Sequence, residues 1–445
     1  MPAFSQARRK IVHILVGGFA FLLRYLTWWQ AAALAVIAIV NNLFVLPRIA
    51  GSVFHDGDRR GLSESGIVIY PIVVLAMILC FPSRPEIVAA AWAILAAGDG
   101  FATLVGSHLR TAPLPWNREK SIGGLIAFIV FGSIAGVILA QWTTTGATAV
   151  APWWPIAAPI AASVAAGFAE TVPLKLNDNI TVPAIAVLVL APLAVVEHAQ
   201  LVAWSPIIVN RLPLAIGVNA VFALLGWLAR TVTIAGAAAG FGIGVAVFVG
   251  TGWSGWIMLF ATFLAAAITT RVGQRKKTTL GIAEGRGGRR GAGNAIANTG
   301  LAAFAALISV GVFRADLARL AMVAALVTAA SDTVASEIGK AFGRTTWLVT
   351  TFRRVRPGTS GAVSLEGTAA GIVSAAVLAS VAVWLGLMPS SSIALVVVAA
   401  TIAALIEGAL GATLEDRGIL NNDALNFVNA LIGAGLAVAG AGMLA

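Results

Sequence analysis

Residues 98–106 read GDGFATLVG and residues 331–339 read SDTVASEIG, and both stretches lie in otherwise apolar surroundings. Each has the spacing Asp-x-x-Ala-x-x-x-Gly, with the acid at Asp99 in the first and at Asp332 in the second. In a helix the Ala and the Gly lie on the same face as the acid. An acid at membrane depth costs roughly 2.5–3.5 kcal/mol to insert, so it usually has a function. Two copies of the pattern predict a membrane protein with two related sites.

The composition of the chain is that of an integral membrane protein. The 445 residues are 59% hydrophobic and 11% charged, and the mean hydropathy is +0.93. Apolar stretches recur along the whole sequence and predict an all-α polytopic protein with about fifteen transmembrane helices. The polar stretch SPIIVNRLP at 205–213 separates two predicted spans, 180–199 and 213–229. It divides the chain into two predicted domains, 1–211 and 212–445.

The basic residues predict the orientation in the membrane. Lys and Arg concentrate in cytoplasmic loops of membrane proteins. With a cytoplasmic N-terminus, 24 of the 29 basic residues fall in predicted inner loops, and the five exceptions are Arg24, Arg84, Arg211, Arg314 and Arg319. The net charge of +11 therefore reflects topology and does not indicate nucleic-acid binding. The single cysteine and four scattered histidines show no zinc-ligand spacing.

Three landmarks occur in the same order in both halves, which predicts a duplicated unit. The first is the Asp pattern, and the second is a Ser-x-x-Gly start of a helix, SIGG at 121–124 and SLEG at 364–367. The third is a Glu followed by a cluster of Asn and Asp, NDN at 177–179 and NND at 421–423. By the predicted topology all of these landmarks lie near the cytoplasmic face. A site at this depth meets both cytosolic nucleotides and membrane lipids.

Cations and amides near these landmarks are candidates for binding phosphate groups. Helix N-termini and glycine-rich loops offer backbone N–H donors to phosphates. The candidates are Arg110, Arg118, Ser121, Asn177 and Asn179 in the first half, and Arg286, Arg289, Arg290, Asn294, Lys340, Ser360, Ser364, Asn422 and Asn426 in the second. Two structural alternatives stand beside this interpretation. The basic loops could face anionic lipid, and the Asn residues could cap helices.

These motifs resemble two families of membrane kinases. The first half, with RKxxH at 9–13, GDGFATLVG, REKSIGG at 118–124 and LKLNDNITVP at 174–183, resembles the phytol kinase and dolichol kinase-like family. Members phosphorylate isoprenoid alcohols with a nucleoside triphosphate, often CTP. The second half resembles the phytyl-phosphate kinase family through RRGAGNAIAN, SDTVASEIGK, GTSGAVSLEGTAAG, IEGALGATLED and NNDALNFVNALIG. Together the two resemblances cover almost the whole chain.

The resemblance implies catalytic residues in each half. These are Asp99, Lys120 and Asp178 in the first, and Asp332, Glu366 and Asp423 in the second. It also implies that Mg²⁺ is bound by Asp99, Asp178, Asp332, Glu337 and Asp423. The sequence departs from the first family at Gly123, where a Glu is usual, so that acid is dispensable or replaced by Glu119 or Glu170. It departs from the second at Glu407-Gly408 and at Val334, where Asp-Ser and Trp are usual.

The resulting hypothesis is a bifunctional isoprenoid-alcohol salvage kinase in a bacterial inner membrane. The first half would phosphorylate a prenol such as phytol, geranylgeraniol or farnesol, and the second would convert the monophosphate to the diphosphate. Prenol and prenyl monophosphate would enter from the membrane, and CTP or another nucleotide from the cytosol. Carboxylate-bound Mg²⁺ and basic loops suit phosphoryl transfer, which depends on positioning and charge neutralisation. A CDP-lipid-forming cytidylyltransferase and a secondary transporter are the alternatives.

Overall fold

A computed structural model describes residues 6–49, 66–109, 111–145, 150–282 and 289–444. The described chain is almost entirely α-helical, which confirms the predicted class of an all-α polytopic membrane protein. It divides into two compact units, Met1–His198 and Ala199–Ala445. Each unit also contains one small antiparallel β element.

The first unit contains seven helices and a β-hairpin in the described residues. The helices are α1 (Gln6–Gly17), α2 (Trp28–Arg48), α3 (Gly66–Cys80), α4 (Pro85–His108), α5 (Ile122–Thr143), α6 (Trp154–Glu170) and α7 (Asp178–Leu193), and the hairpin strands are β1 (Pro113–Leu114) and β2 (Asn117–Ser121). Helix α4 forms the centre of the core: Ile87, Ile94 and Leu95 are each at most 1% exposed. The hairpin leads directly into α5 and so fixes where that helix begins.

The second unit contains eight described helices and a three-stranded sheet. The helices are α8 (His198–Leu228), α9 (Ile234–Arg271), α10 (Gln274–Thr279), α11 (Ala292–Ile308), α12 (Ala315–Phe342), α13 (Leu365–Trp384), α14 (Ser392–Glu415) and α15 (Asn422–Leu444), and the strands are β3 (Thr346–Leu348), β4 (Arg354–Val355) and β5 (Ala362–Ser364). Strand β3 is central in the order β4-β3-β5. The core centres on α12, where Met322 and Leu326 are fully buried.

Helix length and surface composition show a multi-pass membrane protein. Nine helices in the described ranges are long and apolar enough to cross a bilayer, and three shorter helices are also apolar. On α5, Ile126, Val130, Ile134 and Ile138 follow one another at every fourth position, and each is about half exposed. Such a row forms one face of a helix. Contact between this apolar face and lipid tails carries no free-energy cost, whereas contact with water would be unfavourable.

One predicted loop is absent, and a glycine kink is present instead. Helix α8 runs unbroken through residues 205–213, so Arg211 is not in a loop. Its guanidinium donates to the carbonyl oxygen of Val249 over 3.1 Å. The Arg211 guanidinium also lies beside Gly252, whose φ of 66° bends α9. Arg211 therefore has backbone partners within the unit, which makes an arginine acceptable inside a continuous helix.

Candidate functional site

In the first unit, a buried acid is held by two side chains of α1. Asp99 is 3% exposed and ends a π-helical segment, Ile94–Asp99, inside α4. Its Oδ2 accepts a hydrogen bond from Lys10 Nζ at 2.6 Å and lies 3.6 Å from His13 Nε2. Lys10 and His13 are three residues apart and share one face of α1. Single-turn π segments within α-helices are frequent at functional sites.

A lysine from the hairpin connects two further acids. Lys120 on β2 contacts Glu170, the last residue of α6, through an ion pair and hydrogen bond. Its Nζ also lies 3.9 Å from Oδ2 of Asp178, the first residue of α7. Burial lowers the pKa of the Lys120 ammonium, but attraction to Glu170 and Asp178 outweighs it and raises the pKa above its usual value. The cation is therefore retained at neutral pH.

Together these contacts gather three carboxylates. Asp99, Glu170 and Asp178 each offer an oxygen, and these oxygens lie within 4.8 Å of one another. Within the ranges that the structure describes, this is the group of acidic side chains close enough together to hold a metal ion. Clustered carboxylate oxygens are the ligands that Mg²⁺ accepts, so the donor set fits that ion. Asp178 is the most open of the three, with 42% of its side chain exposed.

Several predicted phosphate ligands of the first unit serve as helix caps. Ser121 caps α5 by accepting a hydrogen bond from Gly124 N at 3.1 Å. Asn177 caps α7 by accepting from Asn179 N at 3.0 Å, and the Asn179 amide donates to Gly66 O at 3.2 Å. The bonds to Ser121 and Asn177 satisfy backbone N–H groups that a helix N-terminus leaves unpaired. Ser121 and Asn177 therefore cap helices, Asn179 bonds to the backbone of α3, and phosphate binding by all three stays a prediction.

Two further cations of the first unit were predicted to bind phosphate, and within the described ranges neither is seen in contact with the carboxylate group. Arg118 is exposed on β2, and Arg110 lies outside the described residues. Glu119, one of the two acids suggested as a substitute for the family Glu, is also exposed on the hairpin. Glu170 is 6% exposed and belongs to the carboxylate group. Of the two substitutes, only Glu170 joins the site.

The repeated sequence pattern corresponds to a repeated local structure. In the first unit, a Cβ added at Gly106 would meet Ser121 Oγ at 3.2 Å, and one at Gly124 would meet Ala102 O at 3.2 Å. Helices α4 and α5 therefore cross with their backbones in close contact, which only small residues permit.

The second unit contains the same crossing. A Cβ at Gly339 would meet Ser364 Oγ at 3.0 Å, and one at Gly367 would meet Ala335 O at 2.5 Å. Ser364 caps α13 by accepting from Gly367 N at 3.1 Å, the same distance as in the first unit. In both units a β-strand leads directly into the capping serine. The Asp pattern and the Ser-x-x-Gly start thus form one structural motif.

The acids of the second unit do not gather as those of the first do. Asp332, Glu337 and Asp423 form no group of three adjacent carboxylates in the described ranges. Glu337 is instead 3% exposed and paired with Lys277 and with Lys340, whose Nζ lies 3.1 Å from Glu337 Oε1. Its two oxygens are therefore occupied by lysines. Metal binding by these residues stays a prediction.

Other predicted residues of the second unit lie along its helix starts. Glu366 accepts weakly from Arg344 N at 3.4 Å. Asp423 lies against α11, because a Cβ at Gly293 would be 2.4 Å from Asp423 Oδ2. Arg290 Nη1 donates to Asn294 Oδ1 at 3.1 Å. Of the others, Arg289 and Asn422 are exposed, Ser360 and Asn426 are half-buried, and Arg286 lies outside the described residues.

Sequence reasoning missed four side chains of these sites. Lys10 and His13 entered only as parts of a family motif, although their spacing on one helix face was a usable signal. Lys277 is not among the candidates, yet it is 1% exposed and paired with Glu337. Glu407 was named only as a departure from the family pattern, and its carboxylate is near enough to those of Asp332 and Glu415 for the like charges to repel. Tertiary contacts alone distinguish these residues from their neighbours.

We expect Lys277→Met to destabilise the protein by about 3–5 kcal/mol, because it leaves the Glu337 charge buried with only Lys340 as partner. Thermal unfolding in detergent would measure this effect. Lys276→Met is the matched control, since Lys276 is the exposed neighbour and donates only to Ala341 O at 2.7 Å. The double variant Lys277→Met/Glu337→Leu should recover most of the loss. Equal melting temperatures for the Lys276 and Lys277 variants would contradict the assignment.

Comparison with known proteins identifies relatives. Residues 217–434 match the family described as integral membrane protein DUF92. Protein VTE6, chloroplastic, of Arabidopsis thaliana is 38% identical over 218 residues, which are 47% of this chain and 66% of that protein. The uncharacterized membrane protein sll0875 of Synechocystis sp. is 40% identical over 199 residues, 44% of this chain and 77% of the relative.

A third relative has a functional name. The probable phytol kinase 3, chloroplastic, of Glycine max is 29% identical over 201 residues, which are 42% of this chain and 62% of that protein. This chain therefore spans just under two thirds of both plant proteins. No solved structure matches the chain.

Proposed function

This chain belongs to the integral membrane protein family DUF92, and on that premise we propose that it phosphorylates isoprenoid alcohols and their monophosphates with a nucleoside triphosphate. The observation that carries the proposal is the cluster of Asp99, Glu170 and Asp178 with Lys10 and Lys120. Three acids and two cations in one place suit a polyphosphate and its metal ion. The name of the soybean relative, a probable phytol kinase, supports an isoprenoid alcohol as the acceptor.

The first unit would carry out transfer to the alcohol. The prenol oxygen attacks the γ-phosphorus, the bond to the bridging oxygen breaks, and a nucleoside diphosphate leaves. Asp178 is the carboxylate we assign as base for the hydroxyl proton, because it is the most open of the three. Asp99 is committed to Lys10. Lys10 and Lys120 would then neutralise phosphate oxygens as charge develops.

Magnesium is the cofactor that this site fits. Asp99, Glu170 and Asp178 would hold the ion, which when bound neutralises charge on the nucleotide phosphates. All three ligands would be carboxylates, and a site without a thiolate does not favour a softer metal. Removal of divalent ions with a chelator should stop transfer, and added Mg²⁺ should restore it.

The second unit would carry out the following step, from prenyl monophosphate to diphosphate. A phosphate oxygen of the acceptor attacks the γ-phosphorus of a second nucleotide, and a second nucleoside diphosphate leaves. Asp332, Glu366 and Asp423 are the residues we assign to this reaction, and Arg289, Arg290 and Lys340 supply cations. An anionic acceptor repels an anionic nucleotide, so this step needs more positive charge than the first. We propose CTP as the donor in both steps, from the family resemblance.

A transfer assay with labelled nucleotide tests this function. The purified full-length chain would be incubated in detergent with phytol, geranylgeraniol or farnesol and each of the four nucleotides. Lipid labelled from the γ-phosphate supports the kinase. Label from the α-phosphate would indicate a cytidylyltransferase, and no lipid label with uptake into proteoliposomes would indicate a transporter. Either of these last results overturns the proposal.

Both sites are proposed to lie at the cytoplasmic face, where the nucleotide is. We expect cysteines introduced at Arg118 and Arg356 to react with an impermeant maleimide only from the cytoplasmic side. A cysteine at Ser390, in the turn between α13 and α14, should react only from outside. The background would be Cys80→Ser, since Cys80 is exposed. Labelling of position 356 from outside would separate the second site from cytosolic nucleotide and contradict the kinase function.

A further inference from the structure

The second unit contains a cavity of about 180 Å³ between α8, α9, α11 and α12. One wall is aromatic and consists of Phe222, Trp256 and Phe260. The Trp256 and Phe260 rings stack with centroids 5.5 Å apart, and Phe222 meets them edge-on at 4.7 and 5.3 Å. We call this cavity the aromatic pocket. Its rings fix one another, so the wall is preformed.

The charge of the aromatic pocket lies at one end: of the described residues that line it, only Arg290 is charged, whereas Thr262, Asn298, Thr299 and Thr333 hydrogen-bond to carbonyl oxygens of their own helices. Arg290 and Asn294 line that end, and Arg290 is anchored through its backbone, which pairs with Thr231 and Thr233 over 3.0 Å. At the other end, Asn219 uses its amide internally, accepting from Trp256 Nε1 at 3.0 Å and donating to Ala215 O at 2.8 Å. The aromatic end therefore presents apolar surface to a ligand.

The pocket also adjoins the residues assigned to the second reaction. Ala329, Ala330 and Thr333 of α12 line it, and Asp332 is in the same helical turn. Gly293, which contacts Asp423, directly precedes Asn294. Asn219 lies about two turns, or about 10 Å, before Gly226 on α8, and Gly226 lines the pocket near Arg290. The pocket is thus an elongated apolar space with a cationic end near acidic residues.

We propose that the aromatic pocket holds the isoprenoid chain of the prenyl monophosphate, with its phosphate at Arg290 and Asn294. This assignment rests on the proposed function of the second unit. The ligand has an anionic head on an apolar chain, and the pocket has the complementary order of groups. A nucleotide base fits less well, because the polar side chains beside the rings already bond within the protein. The length of the pocket then limits the chain length accepted.

Two glycines of α9 allow a matched test. Gly240 lines the aromatic pocket and Gly242 does not, and a Cβ at either position would meet nothing within 4 Å. Both are helical and exposed, so leucine strains neither. Gly240→Leu should lower kcat/KM for phytyl monophosphate at least about 10-fold more than for a shorter prenyl monophosphate, as pocket-size changes do. Gly242→Leu should leave this ratio within about twofold of the unchanged protein.

The results of this test distinguish a failure of the pocket assignment from a failure of the proposed function. If the unchanged protein transfers phosphate to no prenyl monophosphate, the proposed function fails. If it does so, but Gly240→Leu leaves the chain-length preference unchanged, the pocket assignment fails alone. Farnesyl monophosphate with a diazirine at its chain end gives a second readout without catalysis. Crosslinks should map to peptides containing Phe222, Trp256 or Phe260, and labelling confined to other helices would overturn the assignment.

Discussion

Asp99→Asn is expected to lower phosphorylation of the prenol by at least ~100-fold, the scale of loss seen when one preorganised electrostatic group of an active site is removed. The substitution keeps the shape of the side chain and removes its charge. Lys10 then loses its 2.6 Å partner, and the group of three carboxylates loses one member. The variant would therefore bind the metal ion more weakly and would also lose the contact that positions Lys10.

The second reaction serves as an internal control for Asp99→Asn. In the two-site proposal, transfer to prenyl monophosphate depends on the second unit and should stay within about twofold of the unchanged protein. Glu119→Gln removes an exposed acid of the same unit and should leave both activities intact. Both reactions would be followed on one detergent-purified preparation, with size-exclusion chromatography as the check on folding. Loss of both activities in a folded Asp99→Asn protein would refute separate sites.

The sequence predicted the helices because apolar runs of membrane length carry a strong signal. It also predicted that Asp99, Lys120 and Asp178 share a site, and the three lie in one cluster in the structure, although their roles stay predictions. The bend in α9 has a signal in the sequence, because Gly250 and Gly252 interrupt an apolar stretch that is too long for one straight span. It is the φ of 66° at Gly252 that produces it.

What the sequence could not indicate depends on contacts between distant residues. Lys10 lies 89 positions before Asp99, and Lys277 lies 60 positions before Glu337. No local pattern distinguishes a lysine that binds a buried acid from one that faces solvent. The predicted loop at 205–213 failed for the same reason, because Arg211 finds its partner in α9. Polar residues are tolerated within membrane helices when another helix satisfies them.

The shared crossing motif gives the repeat a physical meaning. Asp99 and Asp332 each stand three residues before the Ala and seven before the Gly that contact a serine-capped helix. The crossing therefore presents each acid at the same position relative to a helix N-terminus. Backbone N–H groups at such a terminus attract phosphate. The surroundings differ, since three carboxylates gather in the first unit and a Glu337–lysine network lies in the second.

Asp332→Asn is expected to have the reciprocal effect, stopping diphosphate formation while prenyl monophosphate accumulates. The reason is its position: it occupies the same place in the crossing as Asp99, and its turn of α12 lines the aromatic pocket. The second step should fall by at least ~100-fold and the first should be little changed. Chromatography of lipid products formed from labelled phytol and CTP would measure both steps together.

A neighbouring acid supplies the matched control for Asp332. Asp316→Asn removes a carboxylate from the first turn of the same helix, where it pairs with Arg314 at 3.1 Å in an exposed ion pair. Exposed pairs contribute about 0–1 kcal/mol, so this variant should keep both activities. If Asp332→Asn instead lowered prenol phosphorylation and spared the second step, the assignment of reactions to the two units would be reversed. If it changed neither step, Asp332 would serve helix packing alone, and the crossing motif of the second unit would be a structural element without a catalytic role.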